Sequence, residues 1–275
     1  MLPDGASHTG RFLYPGMRFT HTPFAGAELA ELVNCEDFSG MEIAFTQLIS
    51  LNSFQRNEFT EKISFLSVGE IFSSSLKDTV FFSTEKLIHA FTEETISICK
   101  KLGEMTIKNI VLDLPVAEIL ASGGKEKDLL KRFYRQILPT LLQYDQYILL
   151  PVRIPGRENC MDIAGISMFL RECMNPRVKF LLDIYPHELD RETAVEEYAL
   201  QTAFDARSIV FHYSKDKGET LVKAHLLPWV EYLVRHGFNG SFLASPVSRE
   251  TFFSAGECAH FSSLVQEIGK KQKSQ

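Results

Sequence analysis

No CxxC pair occurs in this chain of 275 residues, although it holds five cysteines, Cys35, Cys99, Cys160, Cys173 and Cys258. Their odd number and wide spacing argue against a disulfide framework and a cysteine zinc centre. They predict reduced, mostly buried thiols in a cytoplasmic protein. No window approaches the ~18 apolar residues of a membrane span. The start, MLPDGASHTG, lacks the basic-then-apolar order of a signal peptide. Neither GxGxxG nor a P-loop pattern follows an early strand, and the serine-rich stretches Ser73–Ser75 and Ser241–Ser245 form no GxSxG elbow. Basic residues are in deficit, 29 against 35 acidic, for a net charge of −6. That balance gives no footprint for nucleic acid or an anionic membrane, and neither is expected as a partner. Tryptophan occurs once, whereas phenylalanine occurs 22 times.

With 45% hydrophobic and 23% charged residues, the composition is that of a soluble globular protein. Short runs rich in Val, Ile, Leu and Phe alternate with longer segments of helical period. Strands are expected at Arg11–Tyr14, Met41–Phe45, Lys62–Ser67, Asn109–Leu114, Tyr147–Arg153, Val178–Asp183, Ser208–His212 and Ser241–Ser245. Helices are expected at Ala27–Val33, Thr84–Leu102, Lys125–Leu142, Met161–Met174, Glu192–Phe204, Leu226–His236 and near Gly256–Ile268, with Gly103 and Gly237 as terminators and Pro139 as a kink. Strands apolar at nearly every position suit a parallel sheet covered on its faces. Strand–helix alternation without a linker predicts an α/β chain, a single (β/α)8 TIM barrel spanning residues 1–275 as one domain. An open doubly wound sheet is the alternative.

In such a barrel the active site lies at the carboxyl ends of the strands. The polar residues that close the apolar runs there are Asp113, Arg153, Asp183, His212 and Ser245. Each also has a plain structural reading: Asp183 and Asp113 as turn residues, His212 as a core histidine, Arg153 as a surface guanidinium, Ser245 as a loop residue. Their recurrence at one level of consecutive strands favours a shared cleft. Glu42, early in a buried strand, must be paired or turned to the cavity, because an unpaired buried carboxylate is costly. Lys215 and Lys217 follow the seventh strand and are either an anion clamp or a solvated loop. Gly123-Gly124 before Lys125 is either a phosphate-binding helix start or a plain turn. Tyr185, Trp229 and Tyr232 offer aromatic faces, the last two at the spacing of one helix's packing stripe.

Several segments together carry a family resemblance. They are Phe180-Leu-Leu-Asp183, Ile209-Val-Phe-His212 with Ser-Lys-Asp216, Leu227-Pro-Trp through Phe-Asn-Gly240, Ser241-Phe-Leu-Ala-Ser245, Phe38-Ser-Gly-Met-Glu42, and Leu102-Gly103 before Ile110-Val-Leu-Asp113. The chain resembles the xylose isomerase-like TIM barrels, a superfamily of sugar isomerases and epimerases that also includes apurinic endonuclease-type enzymes. The resemblance implies a site for one divalent metal (Mn, Mg, Zn or Co) held by Glu, Asp, His and Glu from strands five to eight, the glutamates also shuttling the substrate proton. Carried over by position, the metal Asp falls on Asp183 and the His on His212. The glutamates would fall near Pro151–Arg153 and at Ser245, where no acid stands, and the histidine common in the family three residues after the metal Asp falls on Pro186, one step before His187. Asp113, Glu158 or His187 would have to complete the set. The expectation is therefore no cofactor, with a metal on Asp183 and His212 as the retained alternative. Arg153 is expected to supply fixed positive charge for a sugar or sugar acid. Asp113, Arg153, Asp183, His187, His212 and Lys217 are the candidate ligand-binding residues. The sequence leaves open a metal-independent isomerase or epimerase, a non-catalytic small-molecule-binding or regulatory protein on the same fold, and a metal enzyme with unaligned ligands. The eight histidines do not gather at the strand ends as a multi-metal DNA-repair centre requires.

Overall fold

A computed structural model describes residues 13–18, 39–70, 85–154, 162–185, 205–213, 223–246, 261–267 and 270. Eight parallel strands close into one barrel in sequence order. They are β1 (Leu13–Arg18), β2 (Gly40–Ala44), β3 (Phe65–Gly69), β4 (Asn109–Val111), β5 (Tyr147–Ile154), β6 (Val178–Ile184), β7 (Ala206–Tyr213) and β8 (Gly240–Pro246). The ring is completed by β1 pairing with β8, Tyr14 opposite Ser241 and Gly16 opposite Leu243. The described helices are α1 (Phe45–Ser50), α2 (Ser53–Lys62), α3 (Glu85–Glu104), α4 (Val116–Ser122), α5 (Lys125–Gln143), α6 (Ile163–Cys173) and α7 (Lys223–Arg235), followed by α8 at residues 261–267. The expected helices Ala27–Val33 and Glu192–Phe204 lie outside the described residues. No described helix is long and apolar enough to cross a membrane.

Side chains alternate across each strand, and here both faces are buried for different reasons. Ile148, Leu150, Val152, Phe180, Leu182, Ile209, Phe211 and Phe242 point outward into the continuous core shared with the helices. Val111, Leu149, Leu181, Val210 and Leu243 point inward and form a separate apolar layer across the middle of the barrel. The inward residues above and below that layer are mostly polar, so the barrel is a plug with two polar ends.

The helices follow their apolar stripes. α3 buries Ile88, Phe91, Thr92, Thr95, Cys99 and Leu102, and its two buried threonines satisfy their hydroxyls on the carbonyls of Ile88 and Phe91 at 2.7 and 2.8 Å. Ring contacts Phe91–Phe133 and Tyr134–Phe169 join α3 to α5 and α5 to α6. Asn52 and Asp162 cap α2 and α6 by accepting from the amides of Gln55 and Gly165. Trp229 is buried on α7, and Tyr232 of the same helix packs against the core, as a packing stripe requires. Gly237, at φ 96°, follows the end of α7. Gly124, at φ 80°, is the N-cap of α5 and provides no side-chain cap.

Some boundaries differ from expectation. β1 continues to Arg18 instead of ending at Tyr14, through Pro15 and Gly16. The proline lacks an amide, but its carbonyl accepts from Ser39 at 3.1 Å, so the strand keeps its place. Lys62 ends α2 instead of opening β3. Gly103 lies inside α3 and not at its end. Its lack of a side chain serves close packing, since a Cβ there would sit 2.3 Å from the Tyr144 ring. Gly240 is similarly constrained: a Cβ would lie 2.2 Å from the Arg207 carbonyl oxygen. Gly240→Ala is expected to lower stability by about 1–3 kcal/mol, in the range of overpacking; an unchanged urea midpoint would contradict this close approach.

Cys99 and Cys173 are free and buried. Burial pushes both thiols up to about 12, so their thiolate fraction at pH 8 is negligible. Peptide mapping after iodoacetamide treatment at pH 8 should find both unmodified in the native protein and modified after unfolding. Rapid native labelling would show that these sites open.

Candidate functional site

The carboxyl ends of the strands bring together side chains from opposite sides of the barrel. Inward-facing residues at this end include Arg18 of β1, Glu42 of β2, Arg153 of β5, Asp183 of β6, His212 of β7 and Ser245 of β8. Strand register sets Arg18 opposite Glu42, Arg153 opposite Asp183 and His212 opposite Ser245. Glu42 is fully buried, and Arg18, His212 and Ser245 are nearly so.

Arg18 organises the group. Its Nε donates to Glu42 Oε1 at 2.9 Å, and its Nη1 donates to Asp183 Oδ1 at 2.5 Å. The guanidinium thus spans two carboxylates from strands that are not neighbours. His212 Nε2 lies 2.8 Å from the same Asp183 oxygen. Burial alone would penalise the charged form of each partner, but mutual attraction outweighs it. Arg18 holds its proton more firmly than an ordinary arginine: burial opposes the charge, while Asp183 and then Glu42 favour it. Asp183 is likewise held below the usual carboxylate range: burial would raise it, but the Arg18 charge and the His212 hydrogen bond lower it. An ionised Asp183 can only accept, so the His212 Nε2 must carry a hydrogen, in either the neutral or the charged ring.

A stack rises from this network. The Tyr185 ring lies parallel to the His212 imidazole, with centroids 4.2 Å apart, and the Arg153 guanidinium lies 3.6 Å from the Tyr185 centroid. Tyr185 therefore serves as a spacer between a guanidinium and an imidazole and not as an open stacking platform.

Of the sequence candidates, Asp183 and His212 are in direct contact, Ser245 sits in register beside His212, and Arg153 joins through Tyr185. Asp113 is exposed beyond the end of β4. His187, Lys217, Lys215 and Glu158 lie outside the described residues. Glu42 is paired inside the barrel, one of its two expected states. Sequence reasoning misses Arg18, because Pro15-Gly16 reads as the end of the first strand. The available signal is parity: if the strand runs on from Tyr14, Arg18 falls on the inward face at the barrel mouth. Among the described residues, no group of three or more His, Cys, Asp or Glu is arranged to hold a metal ion.

No family model matches the sequence, and no curated protein matches it. Solved structures do resemble the fold. D-psicose 3-epimerase from Clostridium cellulolyticum H10, studied with D-tagatose, is 12% identical with a TM-score of 0.67, covering 94% of this chain and 98% of that one. D-allulose 3-epimerase from Methylomonas sp. is 14% identical with a TM-score of 0.67, covering 95% and 98%. A xylose isomerase domain protein from Planctomyces limnophilus is 13% identical with a TM-score of 0.63, covering 98% and 100%.

Removing Arg18 would leave two buried carboxylates close together. Arg18→Met is expected to cost about 3–5 kcal/mol at pH 7, as for a buried pair broken from one side. Because Asp183 is lowered in the folded state, its contribution is present above the ordinary carboxylate value of about 4 and is lost as pH falls through the lowered value. The gap between wild type and variant in urea unfolding should therefore narrow as pH falls below the ordinary carboxylate value of about 4. A gap independent of pH would contradict the ion-pair network.

Across nearly its whole length, then, the chain has the (β/α)8 fold of these sugar epimerases and xylose isomerase-like barrels.

Proposed function

We propose that the barrel mouth binds a sugar or sugar acid without a resident divalent metal, the place between the carboxylates being taken by the Arg18 guanidinium. The observation that carries this reading is the pair of bonds from Arg18 to Glu42 and Asp183. The donor set does not fit the four-ligand metal site implied by the family resemblance. Arg153 and Ser245 stand where that site has carboxylates, and Asp183, the remaining acidic ligand, already receives two hydrogen bonds on one oxygen. A divalent cation would have to displace Arg18 and would then share its surroundings with a cation of like sign.

Arg153 at the rim suits an acidic group on the ligand, since a guanidinium pairs with a carboxylate through parallel hydrogen bonds. The sugar ligands named for the structural neighbours, D-tagatose and D-allulose, support a polyhydroxylated ligand of that size. Proton transfer, where it occurs, would run through His212, oriented by its hydrogen bond to Asp183. That makes an isomerase-like reaction the catalytic form of this proposal. A non-catalytic binding protein is the second reading. It is favoured by the bonds that tie one oxygen each of Glu42 and Asp183 to Arg18, which make both carboxylates structural partners of a fixed internal cation. The wide spacing of the five cysteines and the burial of Cys99 and Cys173 as free thiols suit a reducing compartment such as the cytoplasm.

A thermal-shift series with D-allulose, D-tagatose and D-gluconate, each with EDTA and with added Mn2+, tests the proposal. Saturable stabilisation that persists in EDTA is expected. Arg153→Ala should weaken D-gluconate by about tenfold or more, as for loss of a charge-assisted contact, while changing the neutral sugars little. Stabilisation that appears only with Mn2+ would overturn the metal-free reading, and an unchanged D-gluconate shift in Arg153→Ala would remove Arg153 from the site.

A further inference from the structure

The amino-end mouth of the barrel, beneath the inner apolar layer, holds a cavity of about 460 Å³. Tyr14, Phe65, Lys108, Asn109, Arg207 and Asn239 are among its walls. Arg207 is its chemically distinctive member. Its Nε donates to Asn109 Oδ1 at 2.7 Å. The Asn109 Nδ2 donates to the Leu66 carbonyl at 3.3 Å, which fixes the amide with its oxygen toward the guanidinium. The flat face of Arg207 lies 3.8 Å from the Tyr147 centroid and 5.5 Å from that of Phe65. The side chain is thus held rigidly by one hydrogen bond and two rings. No carboxylate pairs with it among the described residues, and neither Nη group hydrogen-bonds to them.

The surroundings are positive. Arg177 stacks on the same Tyr147 ring at 4.6 Å. Arg177 and Lys108 share a single carboxylate, Asp145, at 2.7 and 2.9 Å. Three cations therefore face one anion, whereas the neighbouring Lys179–Asp205 pair, at 3.5 Å, is internally balanced. Burial works against the Arg207 charge and lowers its proton affinity, with the attraction of Tyr147 and Asp145 opposing that shift. A partly buried guanidinium with a fixed, uncommitted Nη edge beside a cavity is the donor arrangement that oxyanions fit.

We propose that this amino-end cavity binds a small molecule bearing an oxyanion, a phosphate or a carboxylate, with the Nη edge of Arg207 as its principal recognition group and the Tyr14 and Phe65 rings as walls for the rest of the ligand. The site is separated from the carboxyl-end mouth by the layer of Val111, Leu149, Leu181, Val210 and Leu243, so it stands or falls independently of the sugar-binding reading.

Titration calorimetry and thermal shift on the full chain, with inorganic phosphate and separately with acetate, at ionic strength matched by KCl, test the proposal. Saturable binding of at least one anion is expected, the stronger of the two identifying which oxyanion the cavity prefers. Arg207→Gln should weaken it about tenfold or more, and Arg153→Ala, at the other mouth, should leave it intact. Should Arg207→Gln fail to fold, Ser64→Phe, at an exposed position of the cavity wall, should block binding with Arg207 in place. The proposal is overturned if neither anion acts beyond matched KCl, if binding survives in both cavity variants, or if Arg153→Ala abolishes it.

Discussion

A single guanidinium holds the carboxyl end of this barrel together. Arg18 enters from β1, binds Glu42 on the adjacent strand and reaches across the mouth to Asp183 on β6. Without it, a fully buried Glu42 and a largely buried Asp183 would repel each other in a medium that solvates neither well. With it, attraction outweighs desolvation and Asp183 stays ionised. That ionisation sets the hydrogen on the His212 Nε2, and the His212 ring in turn aligns Tyr185 and, through it, Arg153. Arg18 thus bonds Asp183 directly, reaches His212 through that carboxylate, and reaches Arg153 through the further stack of His212 and Tyr185.

The two ends of the barrel solve the same problem differently. Both carry an arginine facing the axis. At the carboxyl end the guanidinium is neutralised by carboxylates and serves as a fixed internal cation. At the amino end Arg207 rests against aromatic faces and one amide oxygen, which hold its geometry but leave its charge without a carboxylate among the described residues. The inner apolar layer keeps the two electrostatic systems apart, since charges on its two sides share no hydrogen-bonded path through Leu149, Leu181 or Val210.

Much of the fold was legible because outward strand faces are buried under helices and read as apolar runs. Val178–Asp183 and Tyr147–Arg153 match β6 and β5 nearly residue for residue. What escaped was local structure without a pattern. α2 buries only Phe59, so it leaves no helical period, and α1 and α4 are too short to show one. For the candidate site, Asp183 and His212 were visible as polar ends of apolar strands, and the lack of acids at Arg153 and Ser245 showed only against the ligand pattern that the family resemblance implies. Arg18 was hidden by Pro15 and Gly16, which usually stop a strand but are accommodated in β1. The convergence of Arg18 with Asp183, far apart in sequence, is a property of barrel closure that no local signal carries.

The central claim is that an arginine side chain, and not a divalent cation, occupies the space between the strand-end carboxylates. Elemental analysis of the purified full-length protein, after incubation with Mn2+ and exhaustive dialysis, tests it most directly. The structure predicts a divalent-metal content far below one ion per chain in the wild type. Retention of about one tightly held ion per chain, as a complete set of three or four protein ligands would give, lost on Asp183→Asn and on His212→Ala, would contradict it.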